Sequence, residues 1–265
     1  MRRVLGLMLA LLPVAVFAQT AFDGTWKVEE TKWQLDHSPI LVEIKDGIFQ
    51  CLTCTPAINI RADGTDQRVA DDPAADTDAV TVVNANTVEL VEKKDGEVTY
   101  HWISTLSDDG NTMERKVERS FSGSNSTYTV TLSRNAGAPA GAHALSGSWL
   151  PETIKTSDPL TRTFVSINGG LRYTGSDGEA YDASFNGKDY PVHGRGTKIA
   201  TVSLKKIDAH TLEETYKRSD GKVVSVSRLS VSPDGKTLTQ VSQDKLAGRI
   251  NSVVANKLEY QEAEK

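Results

Sequence analysis

The sequence predicts an all-β fold made of two tandem antiparallel meander β-barrels, with little or no helix outside a signal peptide. Three observations support this prediction: the chain contains an internal duplication, apolar and polar residues alternate in short runs, and Asp-Gly or Asn-Gly pairs separate the runs. Alternation with a period of two is typical of half-buried β-strands. A long meander usually closes into a barrel, because closure removes exposed strand edges.

The first half of the chain returns in the second half. The segment Phe22-Asp23-Gly24-Thr25-Trp26 matches Leu145-Ser146-Gly147-Ser148-Trp149. Further matches follow along the chain, and the offset between matching residues stays between 123 and 125. One folding unit has therefore been duplicated in tandem.

Strand-like runs and turn signals alternate through both halves. The clearest runs cover residues 79–83, 87–93, 98–106 and 128–132, then 201–205, 211–217, 223–231 and 237–241. Gly, Asn and Asp tolerate the positive φ that tight hairpin turns require. Eight such pairs predict turns: Asp46-Gly47, Asp63-Gly64, Asp95-Gly96, Asp109-Gly110, Asp177-Gly178, Asn186-Gly187, Asp220-Gly221 and Asp234-Gly235.

The repeat and a run of small residues predict the domain bounds. We expect a signal peptide over 1–18, a first barrel over 20–134, a flexible linker over 135–143 and a second barrel over 144–261. The linker sequence, from Asn135 to Ala142, is rich in Ala and Gly and offers no core residue. Each predicted barrel is large enough to bury a core of its own.

The N-terminus has the features of a secretory signal. Arg2 and Arg3 precede an apolar stretch, and Val16-Phe17-Ala18 provides small residues at the spacing of a cleavage site. The stretch is short for a membrane span, and no later segment is apolar enough to be one. We therefore expect an exported protein, periplasmic or extracellular, that does not span the membrane.

The charge of the mature chain argues against two classes of partner. Cleavage after Ala18 removes two of the 30 basic residues and leaves 28 against 35 acidic residues, a net charge of −7. A negative chain is a poor partner for nucleic acid and for anionic membrane surfaces. The oligomeric state does not follow from the sequence.

A Gly-x-Trp motif opens both halves, at Gly24-x-Trp26 and Gly147-x-Trp149. At the head of an all-β meander, this motif resembles the lipocalin and fatty-acid-binding protein superfamily. More specifically, the patterns Gly-Lys-Asp-Tyr-Pro-Val at 187–192, Glu-Glu-Thr-Tyr-Lys-Arg at 213–218 and Ser-Pro-Asp-Gly-Lys-Thr-Leu-Thr at 232–239 resemble a group of bacterial exported lipocalin-like proteins without assigned function. This resemblance covers most of both halves. The resemblance implies that Trp26 and Trp149 each plug one end of a barrel, with an Arg near the last strand against the Trp. Arg134 is the candidate in the first half, whereas the matching region of the second half carries Lys257, with Arg249 some way upstream.

Cys51 and Cys54 are the only two cysteines, and the second repeat lacks the pair. In an exported protein a structural disulfide is the favoured interpretation. A redox-active Cys-x-x-Cys and a metal site are the alternatives, although zinc would need two further ligands.

No catalytic motif and no cofactor-binding motif is present in the sequence. The patterns of serine hydrolases, zinc proteases, P-loop proteins and dinucleotide-binding proteins are all missing, and the five histidines are dispersed. We expect no metal, no cofactor and no catalytic residue, so the chain is not predicted to be an enzyme.

One strand pair of the second half predicts a ligand contact. Counting back from the turn at Asp220-Gly221 places Glu214 opposite Val226, and puts Glu214, Tyr216 and Arg228 on one face of the sheet. If this face is the interior, Glu214 and Arg228 pair or bind a polar group there, because a buried unpaired charge is costly. If it is the outside, both charges are solvated.

Three classes of function remain. The first is an exported non-catalytic protein whose barrel binds a small apolar or amphipathic molecule, with Glu214, Arg228 and Tyr216 as the ligand contacts. The second is an envelope or extracellular interaction module whose barrels are filled and hold no ligand. The third is a weak hydrolase or isomerase. The first rests on likeness of fold.

Overall fold

In the computed structural model, residues 19–70, 72, 75–121, 124–194 and 199–259 are described, and the predicted signal peptide over 1–18 lies outside them. The prediction of an all-β fold is confirmed. The described part of the chain contains twenty strands, one 3-10 helix at Glu30–Lys32 and no α-helix. It also contains no helix long and apolar enough to cross a membrane.

The strands form two antiparallel sheets of ten strands each. The sheet that we call barrel 1 contains β2 (Ile40–Lys45), β3 (Ile48–Cys51), β4 (Ile58–Arg61), β5 (Gln67–Arg68), β6 (Thr77–Asn84), β7 (Thr87–Lys94), β8 (Glu97–Leu106), β9 (Thr112–Phe121), β10 (Ser124–Ala136) and β11 (Gly147–Thr156). The sheet that we call barrel 2 contains β1 (Gly24–Val28), β12 (Thr161–Ile167), β13 (Gly170–Gly175), β14 (Ala180–Ser184), β15 (Tyr190–Pro191), β16 (Thr201–Lys206), β17 (Thr211–Lys217), β18 (Val223–Val231), β19 (Thr237–Asp244) and β20 (Ile250–Lys257).

The Asp-Gly signals mark the turns. All eight glycines have positive φ, and six of the pairs connect neighbouring antiparallel strands. At Asp46-Gly47 and Asp95-Gly96 the Asp also has positive φ, at 51° in both cases, which is the geometry of a two-residue hairpin turn. The remaining pairs, Asp63-Gly64 and Asn186-Gly187, lie where consecutive strands do not pair.

Those two turns lie where each sheet nearly closes. The order of strands in barrel 1 runs from β4 at one edge to β5 at the other, and in barrel 2 from β14 to β15. Isolated bridges cross the gap, Asp63 to Thr81 in barrel 1 and Asn186 to Lys205 in barrel 2. Both sheets are therefore nearly closed antiparallel barrels, and the repeat is visible in how they close.

The sheets do not follow the predicted domain ranges 20–134 and 144–261. Strand β1, which begins the first repeat, pairs with β12 and β20 in barrel 2. Strand β11, which begins the second repeat, pairs with β10 and β2 in barrel 1. Barrel 1 is thus one continuous stretch, 40–156, inserted between the first and second strands of barrel 2.

The connections between barrels differ from the predicted linker accordingly. The segment 135–143, predicted to separate two domains, lies between β10 and β11 of the same sheet. The chain passes between barrels at 29–39 and again at 157–160. The sequence repeat located the duplicated strands correctly, but it could not show which copy of the first strand each sheet uses, since the two copies are nearly equivalent.

Each barrel surrounds its own apolar core. Trp26 belongs to the core of barrel 2 with Phe164 and Leu204, whereas Trp149 belongs to the core of barrel 1 with Phe49 and Leu90. Both tryptophans are fully buried. Each indole N–H donates to the carbonyl four residues earlier, at 2.8 Å for Trp26 and 3.0 Å for Trp149.

A substitution of Trp149 tests this assignment of strands. Because Trp149 fills the core of barrel 1, Trp149→Ala should lower the free energy of unfolding of that barrel by about 3–5 kcal/mol. Hydrogen exchange in the intact chain should then accelerate over 40–156 and stay unchanged over 161–257. The matched variant Trp26→Ala should give the reverse pattern. Faster hydrogen exchange over 161–257 in Trp149→Ala would contradict the assignment of Trp149 to the core of barrel 1.

Candidate functional site

A cavity of about 480 Å³ lies between the interiors of the two barrels. Side chains of both sheets line it, and so do residues of the crossing segment 29–39, including Trp33, Leu35 and Asp36. A volume of this size falls in the range of small-molecule sites. Neither repeat alone supplies the whole wall.

Barrel 1 contributes a basic and aromatic wall. Strand β9 directs Arg115 and Arg119 to the cavity. The Arg115 guanidinium carbon lies 4.4 Å from the centre of the Trp102 ring, and the Arg119 guanidinium carbon lies 5.3 Å from the centres of both Tyr100 and Tyr128. Stacking of this kind holds a guanidinium group in place, while its N–H groups point outward in the plane of the group, where they can donate hydrogen bonds.

Arg115 is the unusual member of this wall. Its Nε–H donates to the hydroxyl of Ser104 at 2.9 Å, and Ser104 is buried. Among the described residues no carboxylate lies within ion-pair distance of Arg115. Burial lowers the pKa of the guanidinium, with Tyr100 and Tyr128 opposing the shift. Because a guanidinium group is not deprotonated in proteins, a cation faces the cavity without a carboxylate beside it.

Barrel 2 contributes a wall of small polar side chains. The hydroxyl oxygens of Ser227 and Ser242 lie 2.7 Å apart, and the Gln240 amide N–H donates to Ser242 at 3.0 Å. The side-chain oxygen of Gln240 is buried and has no hydrogen-bond partner in the described part of the chain. Ser225 and Asn251 extend the same wall.

The two walls occupy equivalent positions of the repeat. In barrel 1, Trp102 pairs with Val117 across strands β8 and β9, and in barrel 2 the matching pair is Ser227 with Ser242. The counterpart of Arg115 is Gln240. Bulky side chains thus fill positions in barrel 1 where barrel 2 has small ones, and the space released on the barrel 2 side becomes part of the cavity.

Two buried carboxylates complete the barrel 2 side. Tyr216 donates its hydroxyl to Glu179 at 2.7 Å, and Tyr181 donates to Glu214 at 2.5 Å. Burial, followed by the charge of the neighbouring carboxylates, raises the pKa of Tyr181 and Tyr216 well above its usual value. Both phenols therefore remain donors at any physiological pH.

The predicted ligand contacts are only partly brought together. Glu214 and Tyr216 are buried and line the cavity. Arg228 is exposed on the outer face, where it pairs across strands with Glu213. The predicted inward pair of Glu214 and Arg228 is therefore wrong.

A β-bulge explains the error. Tyr216 pairs with Ser225 and Lys217 with Val223, so Val224 is an extra residue on its strand. The bulge shifts the register by one, and a shift of one turns every later side chain of the strand to the opposite face. As a result, Ser227 faces the interior of barrel 2, where the predicted register had placed Arg228. Thr99 forms the same bulge in barrel 1 and turns Tyr100 and Trp102 inward.

The tryptophans predicted to plug the barrels each lie beneath a cation. The Arg134 guanidinium carbon lies 4.2 Å from the centre of the Trp149 ring, and the Lys257 ammonium nitrogen lies 5.2 Å from that of Trp26. Arg134 also donates to the carbonyls of Ser146 and Ala144. Each cation belongs to the repeat other than that of its tryptophan, as the exchange of first strands requires.

Cys51 and Cys54 form a disulfide, with sulfurs 2.03 Å apart. Cys51 is buried in the core of barrel 1. The neighbouring Thr53 carbonyl accepts a hydrogen bond from Arg249 of barrel 2 at 3.3 Å, so the disulfide loop also contacts the second barrel. Among the described residues, no group of three or more His, Cys, Asp or Glu side chains could hold a metal ion.

No protein-family model, no curated protein and no solved structure matches the chain. The site must therefore be interpreted from its own geometry. Sequence reasoning missed Arg115, Ser227, Ser242 and Gln240. The available signal was the repeat itself, because aligned strand positions change there from large or charged residues to small polar ones.

Replacement of Arg115 by an uncharged residue tests whether its charge lowers the free energy of unfolding of the protein. Arg115 is partly buried, and replacement of a charge withdrawn from water by an apolar side chain of similar length is often neutral or stabilising. We expect Arg115→Met to unfold at the same free energy as the wild type or up to about 2 kcal/mol higher in denaturant titration. A loss of more than about 2 kcal/mol would mean that Arg115 is a structural element of the core.

Proposed function

We propose that the chain is an exported binding protein, periplasmic or extracellular, that holds one small amphipathic organic anion in the cavity between its barrels. The observation that supports this proposal most directly is the position of Arg115, whose guanidinium faces the cavity with no carboxylate beside it. A charge in such a place is costly unless something compensates it. A carboxylate, sulfonate or phosphate on a ligand would do so through charge-assisted hydrogen bonds.

The rest of the cavity supports an amphipathic body for that ligand. Leu132, Pro151 and Ile154 of barrel 1 and Phe164 and Val253 of barrel 2 give apolar surface. Tyr100 and Tyr128 flank the arginines and offer flat rings. An anionic group at Arg115 with an apolar body against these side chains would use both kinds of surface.

A relationship to lipocalin-like proteins is part of the same proposal. Its support is the Gly-x-Trp strand in each barrel and the cation above each of the two tryptophan rings. Trp26, Trp149, Arg134 and Lys257 are not among the residues that line the cavity. The binding proposal therefore stands on the cavity and does not depend on the relationship.

Binding of an anionic fluorescent probe tests the proposal. The dye 1-anilinonaphthalene-8-sulfonate combines a sulfonate with apolar rings, so its fluorescence should rise as it enters the cavity. Arg115→Gln should weaken binding at least about tenfold, because a hydrogen bond to a charged group is typically worth about 1.5–3 kcal/mol.

Arg228→Gln is the matched control, since it removes an arginine from the outer face of the other barrel. We expect this variant to bind the dye within about twofold of the wild type. Equal affinity in all three proteins would place the dye outside the cavity and remove the support for the proposal.

A further inference from the structure

The polar wall of barrel 2 indicates which functional groups the ligand carries. We infer that the anion carries hydroxyl groups at the end away from its acid group, and that Ser227, Ser242 and Gln240 bind them. This inference rests on the proposed function, because it assumes that the cavity holds an organic anion. It concerns a different part of the cavity, contributed by a different barrel.

The hydrogen bonds within the wall leave capacity for a ligand. Ser227 and Ser242 have two hydroxyl hydrogens, and their mutual contact at 2.7 Å uses one of them. Ser242 accepts from the Gln240 amide, while the Gln240 side-chain oxygen has no partner in the described part of the chain. One hydroxyl hydrogen and one amide oxygen therefore remain to be satisfied.

An alkyl chain would be a poor occupant of this wall. It would cover the remaining donor and acceptor without replacing their hydrogen bonds, and such loss makes a polar site reject the apolar analogue. A hydroxyl group both donates and accepts, so it can satisfy both. Ser225 and Asn251 add further hydrogen-bonding groups beside this set.

The divergence of the repeat supports a binding role for these residues. The positions of Ser227 and Ser242 are occupied by Trp102 and Val117 in barrel 1, where both side chains are buried in the apolar core. Two apolar side chains can therefore occupy these facing positions on neighbouring strands. In barrel 2 the same place holds two hydroxyls next to open volume, which a purely structural role does not require.

Two sources could supply this chemistry, a hydroxylated steroid acid or an acidic sugar. The first is tested by comparing cholate with lithocholate, which share a skeleton and a carboxylate and differ by two hydroxyl groups. The second is tested by comparing digalacturonate with hexanedioate, which is an acid without hydroxyl groups. All four are titrated as competitors of the fluorescent dye, with the steroid acids below their micelle concentrations.

We expect the hydroxylated member of at least one pair to bind about tenfold more tightly than its partner. The double variant Ser227→Ala/Ser242→Ala should abolish that preference while it keeps the affinity for the dye. The control Ser230→Ala, which changes the outer face of the same strand, should keep the preference. Thermal unfolding of each variant checks that the fold is retained.

The outcomes separate the two proposals. If acids bind through Arg115 but neither pair shows a preference for hydroxyl groups, the inference is overturned and the proposed function stands. The inference is also overturned if the preference survives in Ser227→Ala/Ser242→Ala. If neither the dye nor any acid binds, the proposed function fails and the inference fails with it.

Discussion

The architecture depends on where the chain places two short strands. Each barrel takes its Gly-x-Trp strand from the other repeat, so neither sheet can be completed by the repeat that supplies most of it. The chain must therefore cross between the sheets twice, at 29–39 and 157–160. Hydrogen bonds hold the first crossing to barrel 2: Asp36 accepts from the backbone N–H of Ile250, and its own N–H donates to the side-chain oxygen of Asn251. The second crossing follows Thr156, whose N–H donates to Glu30 at 3.0 Å.

The same arrangement accounts for a cavity that belongs to both barrels. The arginine wall of one sheet and the serine wall of the other line the same cavity, together with residues of the first crossing segment. After the duplication, equivalent positions took different residues, Arg115 against Gln240 and Trp102 against Ser227. A protein of two identical filled barrels would have no such space. The difference between the repeats therefore accounts for the cavity, in which barrel 1 presents Arg115 and barrel 2 presents Ser227, Ser242 and Gln240.

Much of the fold can be predicted from the sequence, because turns and strands depend on residues that are close together in the chain. The Asp-Gly pairs fix hairpins through backbone conformations that few other residues accept, and alternation shows which runs are strands. Sheet membership does not follow, because β1 and β11 open with the same Gly-x-Trp motif and the motif does not indicate which barrel each strand joins. The interior face of β18 does not follow either. A single extra residue, Val224, reverses that face, and no composition signal marks a β-bulge there. Glu214 and Tyr216 face the interior because the extra residue is on β18 and not on their own strand β17, whereas Arg228 lies beyond the bulge on β18.

The central claim is that one small acidic molecule occupies the shared cavity and that Arg115 holds it. Native mass spectrometry of the protein purified from its own source organism tests this claim most directly. The account predicts one bound molecule of low mass per chain in the wild type, retained in Arg228→Gln and lost in Arg115→Gln. A chain that carries no such mass after gentle purification, or an Arg115→Gln variant that keeps it in full, would contradict the account.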